Sequence, residues 1–371
     1  MIRADPPPNP SEVVSAIPSA STREKLPSDW AISATLRGGF GYANNILLAS
    51  ADEQSSAFAV GGADLVVLWE PPTPNSLSLF LSGDDRIYFD PASVPGSSIV
   101  ARRDQLAFAR IAYKWHQPSW DADIVSGYQF NHQVFDASDL DGRGAIRARG
   151  HQIYVTPGLI VRPLSKLRVE AQATGQRQIY ELPVSSYWEW GPRVVVGWDY
   201  GLQRFIESGS GFGWRPYDDR QRADLGGNRL AGTRLATLDW RSDLTWKHSW
   251  DTAQQWSTTL RGSYLQRDDG GSGYFDFHRV GALASVRYLQ GPWTVRFTGR
   301  WWDYGYEVQL VSPSNPVPRQ RQEWQSELRI EYLVGRHARW FGQFEWEKSK
   351  ANSVVESYVA KTLQIGLEWE F

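Results

Sequence analysis

Apolar and polar residues alternate along most of the chain, and the alternation is cleanest at the C-terminus. Within 362–371 every second residue is apolar, namely Leu363, Ile365, Leu367, Trp369 and Phe371. A period of two is the mark of a β-strand whose two faces meet different surroundings. The same alternation, with the turn residues that interrupt it, predicts strands near 31–48, 56–70, 75–89, 104–116, 120–134, 151–162, 166–180, 187–200, 203–216, 233–248, 254–267, 276–289, 293–309, 321–334, 338–349 and 358–371.

The connections between these segments alternate between short and long. Short ones lie at 71–75, 117–119, 163–166, 249–254, 290–292 and 335–338, and long ones at 90–103, 136–150, 218–232, 267–277 and 311–321. The region 187–216 is the least clear, because it contains Pro192, Pro216 and a Gly/Ser run. It must supply two strands for the short–long alternation to hold. We therefore expect about sixteen strands, and one misread hairpin would give 14 or 18.

Composition decides what surrounds the sheet. The chain has 19 Trp, 16 Tyr and 15 Phe, yet its mean hydropathy is −0.45, and no segment approaches the roughly 18 apolar residues of a spanning helix. Alternation alone would also suit a soluble β-sandwich. Trp and Tyr at the strand ends favour a membrane, because aromatic girdles mark its two interfaces. The fold predicted for 30–371 is an all-β, closed antiparallel transmembrane β-barrel with short periplasmic turns and longer extracellular loops.

The N-terminal residues differ from the rest. Residues 1–29 are rich in Pro and Ser without periodicity, and we expect a disordered periplasmic segment. They contain no apolar core of a signal peptide. A barrel of this kind is expected in the outer membrane of a Gram-negative bacterium, exported by a signal peptide that this chain does not show. Either processing or removal of an upstream domain would explain that start.

The inward residues of a sixteen-stranded barrel would form its functional surface, because barrels of that size hold an aqueous channel. The candidate lining residues are charged, namely Arg110, Lys114, Arg241, Arg279, Arg287, Arg296, Arg300, Glu323, Glu327, Arg329, Glu331, Glu345, Glu347, Glu368 and Glu370. Strands at 276–309 are rich in Arg and the last three in Glu. Two interpretations stay open. Neighbouring charges pair across strands, or they form a transverse field that orients polar solutes.

Residues that would indicate chemistry are few. The six His lack metal-ligand spacing, no motif supports a Ser/His/Asp assembly, and there is no Cys. Segments 139–142 and 268–271 are Asp/Gly-rich and suit either Ca²⁺ or an ordinary solvated loop. The net charge of −2 gives no reason to expect nucleic acid. We expect no catalytic residue, no metal and no cofactor, and so no enzyme.

Two segments resemble known families. The C-terminal strand resembles the signature of bacterial outer-membrane proteins, which implies that Trp369 and Phe371 are read by the barrel-assembly machinery. Residues 39–46, GFGYANNI, resemble the first strand of exopolysaccharide exporters and surface-lipoprotein assembly modifiers, with Ala43 where that pattern has Asp. These families normally carry helical repeats before the barrel, which this chain lacks.

The expected function is an outer-membrane channel or export conduit for polar solutes, polysaccharide among them. One alternative is an accessory barrel for surface protein or lipoprotein secretion, and another is an outer-membrane lipid-modifying enzyme. The expected partners are outer-membrane lipid and lipopolysaccharide, the assembly machinery and periplasmic secretion components.

Overall fold

The computed structural model describes residues 29–94, 97–136, 145–181, 184–312, 315–353 and 356–371. The predictions for 1–28 and for the 139–142 loop lie outside these residues. The strands are β1 (Trp30–Ala43), β2 (Ser56–Trp69), β3 (Asn75–Ser93), β4 (Val100–His116), β5 (Trp120–Asp136), β6 (Ala145–Leu164), β7 (Leu167–Tyr180), β8 (Tyr187–Gly201), β9 (Arg204–Pro216), β10 (Ala236–Ser249), β11 (Trp256–Asp268), β12 (Phe277–Gln290), β13 (Trp293–Ser312), β14 (Asn315–Val334), β15 (Ala338–Ala351) and β16 (Tyr358–Glu370).

Each strand pairs antiparallel with the next along the chain, and β1 pairs with β16, so the sheet closes on itself. Closure leaves no strand edge with unpaired backbone groups. The prediction of a closed antiparallel barrel of sixteen strands is confirmed. Residues 187–216 supply β8 and β9, which are joined at 202–203.

The two ends of the barrel differ as predicted, but several predicted loops were too long. One end carries turns of two to six residues together with both barrel termini, whereas the loop at the other end between β9 and β10 covers 217–235. Strand β6 begins at Ala145 and β14 at Asn315, inside the predicted loops 136–150 and 311–321. Conversely, β1 ends at Ala43 instead of continuing to 48. The first residues of β6 and β14 lie beyond the apolar belt and meet water on both faces, so hydropathy does not mark them. The segment after β1 is apolar because Ile46 and Leu47 pack into a buried cluster.

The outward face carries the apolar half of the alternation. In β1 the exposed side chains include Ile32, Leu36 and Phe40. Rings mark both ends of this belt: at the short-turn end Trp30 lies 6.0 Å from Trp69 between centroids, and eight residues separate Trp293 from Trp301 along β13. At roughly 3.3 Å per residue and about 40° of tilt, that spacing spans about 20 Å. In the described residues, no helix has the length and apolarity needed to cross a membrane.

Candidate functional site on the inward face of the barrel

Ion pairs that skip a strand identify the concave face. Arg193 on β8 reaches Asp243 on β10, with Nη2 2.6 Å from Oδ1. Arg37 on β1 reaches Asp84 on β3, with Nε 2.6 Å from Oδ1. Side chains converge only on the inside of a curved sheet, so this face is the lumen. The register places all fifteen predicted lining residues on it. That they line a conducting path remains a prediction.

The inward side chains of β11 to β13 form a basic strip. Its members are Arg261, Arg267, Arg279, Arg287, Arg296 and Arg300. Between Ser257 and Tyr306, no inward position paired in the register carries Asp or Glu. Arg287 lies directly opposite Arg296, which lies opposite Arg329. Sequence reasoning missed Arg261 and Arg267, although the outward Trp256 and Leu260 set the parity that points both of them inward.

The acidic sector of β14 to β16 is only partly neutralised. Arg329 binds Glu331 (Nε to Oε1, 2.6 Å) and Glu368 (Nη2 to Oε1, 2.5 Å). Glu327 and Glu345 lie opposite each other in the β14–β15 register. Neither forms an ion pair among the described residues. Ion pairs with Arg329 therefore account for Glu331, on the same strand, and for Glu368, two strands away, whereas Glu327 and Glu345 keep the acidic character on which a transverse field depends.

A buried ionic network lies near the long-loop end of β8 to β11. Arg215 Nη2 lies 2.6 Å from Glu189 Oε2 and 3.4 Å from Asp239 Oδ2. Arg241 contacts the same two carboxylates at 2.7 and 2.9 Å, and Arg267 Nε lies 2.7 Å from Asp239 Oδ1. Of these five residues only Arg241 was predicted as a lining residue, because the contacts among them form only when β8 to β11 pair side by side. Glu189 has two cationic partners and Asp239 has three, so the network fixes the wall rather than offering open charge.

The 217–235 loop packs over this network. Tyr217 and Leu235, at its two ends, lie in one buried cluster with Tyr187. The guanidinium of Arg220 lies 4.4 Å from the ring centroid of Phe275 in the 269–276 loop. Ser272 Oγ donates to the Ala223 carbonyl at 2.7 Å, which joins the two loops again. The two loops thus form one packed layer at the long-loop end.

Two ionisable side chains of the 217–235 loop, Tyr217 and Asp218, show how this layer is held. Burial acts to raise the pKa of the Tyr217 hydroxyl, but Arg215, Arg267 and Arg220 outweigh it and hold that pKa below its usual value. The pKa of the Asp218 carboxyl is lowered by the hydrogen bond and charge of Arg177, which overcome the effect of burial. Arg177 Nη1 donates to Asp218 Oδ1 at 2.9 Å. The loop is therefore tied to β7 by an ion pair that needs an ionised carboxylate.

The Asp/Gly segment at 268–271 comes together with Asp276. Carboxylate oxygens of Asp268, Asp269 and Asp276 lie within 4.8 Å of one another. Asp269 accepts hydrogen bonds from the loop amides of Gly271 and Phe275 at 2.8 and 3.0 Å. Burial, followed by the nearby carboxylates, raises the pKa of Asp276. These bonds shape the loop, and both interpretations of the segment remain predictions.

The inward wall across β3 to β6 carries an apolar patch among its charged and polar side chains. Phe80 and Phe108 face inward with centroids 5.8 Å apart. Ala112, Val125 and Tyr154 are buried beside Phe108. Since β4 stands eight strands from β12 in a barrel of sixteen, this wall faces the basic strip across the lumen. The apolar patch lies beside the inward Arg110 and Lys114 of the same strand β4.

At the short-turn rim three side chains form a hydrogen-bonded chain that no sequence motif announced. Ser76 Oγ lies 3.3 Å from His116 Nε2, and His116 Nδ1 lies 3.1 Å from Asp121 Oδ1. Arg162 Nη2 binds the other oxygen of Asp121 at 2.6 Å. The residues come from four strands, so only the assembled barrel brings them together.

No family model matches the sequence, and no curated protein matches it. Solved structures similar to the chain include OccAB3 of Acinetobacter baumannii (TM-score 0.48, 9% identity, 92% of this chain and 99% of that one). They also include OprB of Pseudomonas putida (0.48, 10%, 92% and 94%) and an anion-selective porin from Comamonas acidovorans (0.46, 10%, 92% and 99%). These likenesses are too distant to add to the barrel that the chain itself forms, and the proposals below rest on its own residues.

Proposed function

We propose that this chain is an outer-membrane channel that passes polar solutes through its lumen. The observation that carries the proposal is the division of the wall, which is apolar outside and lined with charge inside. An apolar outer belt between aromatic girdles suits a bilayer, and ionisable groups in a membrane face water or one another. The inward Arg strip and the unpaired Glu327 and Glu345 give the path its electrostatic character.

Among polar solutes, we propose that polysaccharide is the class that passes through this channel. Support comes from the resemblance of 39–46 to exopolysaccharide exporters and from inward rings and amides. Trp302, Gln325 and Gln343 point into the lumen and are partly exposed. Aromatic faces stack on sugar rings, and amides both donate to and accept from hydroxyls. Neutral oligosaccharide added to a conducting barrel should reduce the current, and Trp302→Ala should weaken that block relative to the outward Trp301→Ala.

The channel proposal is tested by conductance in planar bilayers under a salt gradient. Arg296→Glu should shift the reversal potential towards cation selectivity, and Glu327→Lys towards anion selectivity, because each charge faces the path without an ion pair among the described residues. Lys350→Glu is the matched control, since Lys350 is exposed on the outward face of β15 and should leave the potential unchanged. Absence of conductance, or selectivity that ignores both inward variants, would contradict the proposal.

A second candidate function, ester hydrolysis by a lipid-modifying barrel, is favoured by the chain of Ser76, His116 and Asp121. A hydroxyl, an imidazole and a carboxylate in this order can activate a nucleophile. The discriminating assay is labelling with a fluorophosphonate, followed by mapping of the modified residue. Labelling that is lost in Ser76→Ala but kept in Ser78→Ala would support the enzyme; the channel proposal expects no labelling at Ser76.

A further inference from the structure

The outward face of β10 to β15 contains a groove in the apolar belt. It is open on its outer side and has a volume of about 770 Å³, within the range of roughly 300–1,000 Å³ typical of small-molecule sites. Its floor is made of small residues, namely Gly262, Ala282, Ala284, Gly299 and Ser326. Its sides are large, namely Leu244, Trp246, Leu260, Trp301, Trp324 and Trp346. The recess therefore results from a run of small side chains between bulky ones.

The register shows that this recess is continuous across the strands. One row of paired outward positions runs Trp246, Leu260, Ala284, Gly299, Ser326, Trp346 and Lys361. The next row runs Leu244, Gly262, Ala282, Trp301, Trp324 and Lys348. Trp246 stands three residues from the short-turn end of β10, whereas Trp346 stands eight residues from that end of β15. The groove thus climbs through the belt towards the long-loop end.

In both rows a lysine follows the last tryptophan. Lys348 lies opposite Trp324, with its Nζ 5.8 Å from the ring centroid, and Lys361 lies opposite Trp346. The two lysines are diagonal neighbours on one face of the β15–β16 pair, a separation of about 7–8 Å between such positions. Among the described residues neither lysine forms an ion pair. On the outward face of β13 to β15, the carboxylate nearest to them in the register is Asp303, two strands from β15. Two cations thus cap the upper end of an apolar groove at the interface level.

We propose that the groove binds an acyl chain of a membrane lipid that bears an anionic phosphomonoester, as lipid A does and phosphatidylcholine does not, with that phosphate held between Lys348 and Lys361. The groove lies in the belt where hydrocarbon is the solvent, and the lysines lie where headgroups begin. A recess left empty would lose its dispersion contacts. If the barrel has the proposed orientation, with the long loops outside the cell, the two lysines lie in the outer leaflet of the membrane.

A second copy of the chain fits these features less well. The occupant would have to bring apolar atoms into the groove and negative charge to Lys348 and Lys361 together. A phosphorylated lipid carries both in one molecule, at the separation that the interface itself imposes. The alternative is therefore an outcome of the experiment and not the proposal.

The test uses the full chain purified in detergent and native mass spectrometry with bis-phosphorylated lipid A or phosphatidylcholine as probe. Gly262→Leu fills the groove, and an added Cβ there meets nothing within 4 Å, so the barrel should fold. Gly38→Leu is the matched control, because Gly38 is also outward on β1 with nothing within 4 Å. The proposal expects Gly262→Leu to lose bound lipid A and Gly38→Leu to keep it.

The phosphate half of the site is tested by Lys348→Gln and Lys361→Gln. Each should weaken lipid A binding about five-fold and leave phosphatidylcholine binding unchanged. A lysine near an anionic lipid contributes about 1 kcal/mol of binding free energy, which corresponds to about five-fold in Kd. Lys166→Gln, at the short-turn end, is the control. Unchanged lipid A binding in Gly262→Leu, or equal binding of both lipids in every variant, overturns the proposal. So does a change of oligomeric state caused by Gly262→Leu, which would assign the groove to a second copy.

This test is independent of conduction, because Gly262, Lys348 and Lys361 all point away from the lumen. Lipid binding by a barrel that does not conduct would refute the channel alone. Conduction with no lipid preference would refute the lipid site alone.

Discussion

Replacement of Arg215 by Met should destabilise the barrel more than the loss of any outward ion pair. Arg215 is 6% exposed and contacts Glu189 and Asp239, and its guanidinium lies 4.5 Å from the Tyr187 ring centroid. Removing one partner of a buried pair costs about 3–5 kcal/mol when the other charge is left alone. Here Arg241 and Arg267 still hold the two carboxylates, so we expect a loss of about 2–3 kcal/mol.

The assay is urea unfolding in detergent micelles followed by tryptophan fluorescence, with the free energy taken from the midpoint and slope. Arg103→Met is the control, because Arg103 pairs with Asp85 on the outward face with its side chain 48% exposed. That variant should unfold with the parent. If Arg215→Met unfolds at the parent midpoint, or if Arg103→Met loses as much, the buried network does not stabilise the wall as inferred.

Two further predictions concern the loop layer and the C-terminus. The pKa of Asp218 is lowered in the folded chain, so its pair with Arg177 stabilises the loop above the unfolded pKa of about 3.9 and is lost as pH falls through the lowered value. Limited proteolysis should therefore cut 217–235 in the parent only in acid, and in Asp218→Asn at neutral pH as well. Equal cutting of the parent at both pH values would refute this. Phe371→Ala should reduce assembly in cells but not folding into detergent, because the side chain is 65% exposed; Phe344→Ala is the control, and equal assembly of both variants would count against an assembly signal.

The alternation of apolar and polar residues was enough to predict most of the fold. It predicted which side chains share a face wherever one face meets hydrocarbon, so the outward Trp340 and Phe344 and the inward Glu345 follow from local sequence. The prediction weakened where that contrast ends. β6 begins six residues before its predicted start because both faces of its first residues lie outside the apolar belt. The alternation arises where one face of a strand meets hydrocarbon and the other meets water, and it disappears where both faces meet water.

Relations between strands were beyond the sequence. Nothing local links Glu189 to Arg215, Asp239 and Arg267, because their contact depends on the curvature of the closed sheet. Likewise, the small residues of the outward groove lie on four strands, and only the register aligns them. Charge signs could be read from the chain, but which charges neutralise each other could not.

The central claim is that the inward face lines a water-filled path across the membrane. The chain contains no Cys, so a single introduced thiol reports on one position. Thr298 points inward on β13 and Phe297 outward, with its ring 46% exposed. In planar bilayers, a charged methanethiosulfonate reagent should lower the conductance of Thr298→Cys and leave Phe297→Cys unchanged. Conductance that is absent, or that is equally insensitive in both variants, would contradict the account.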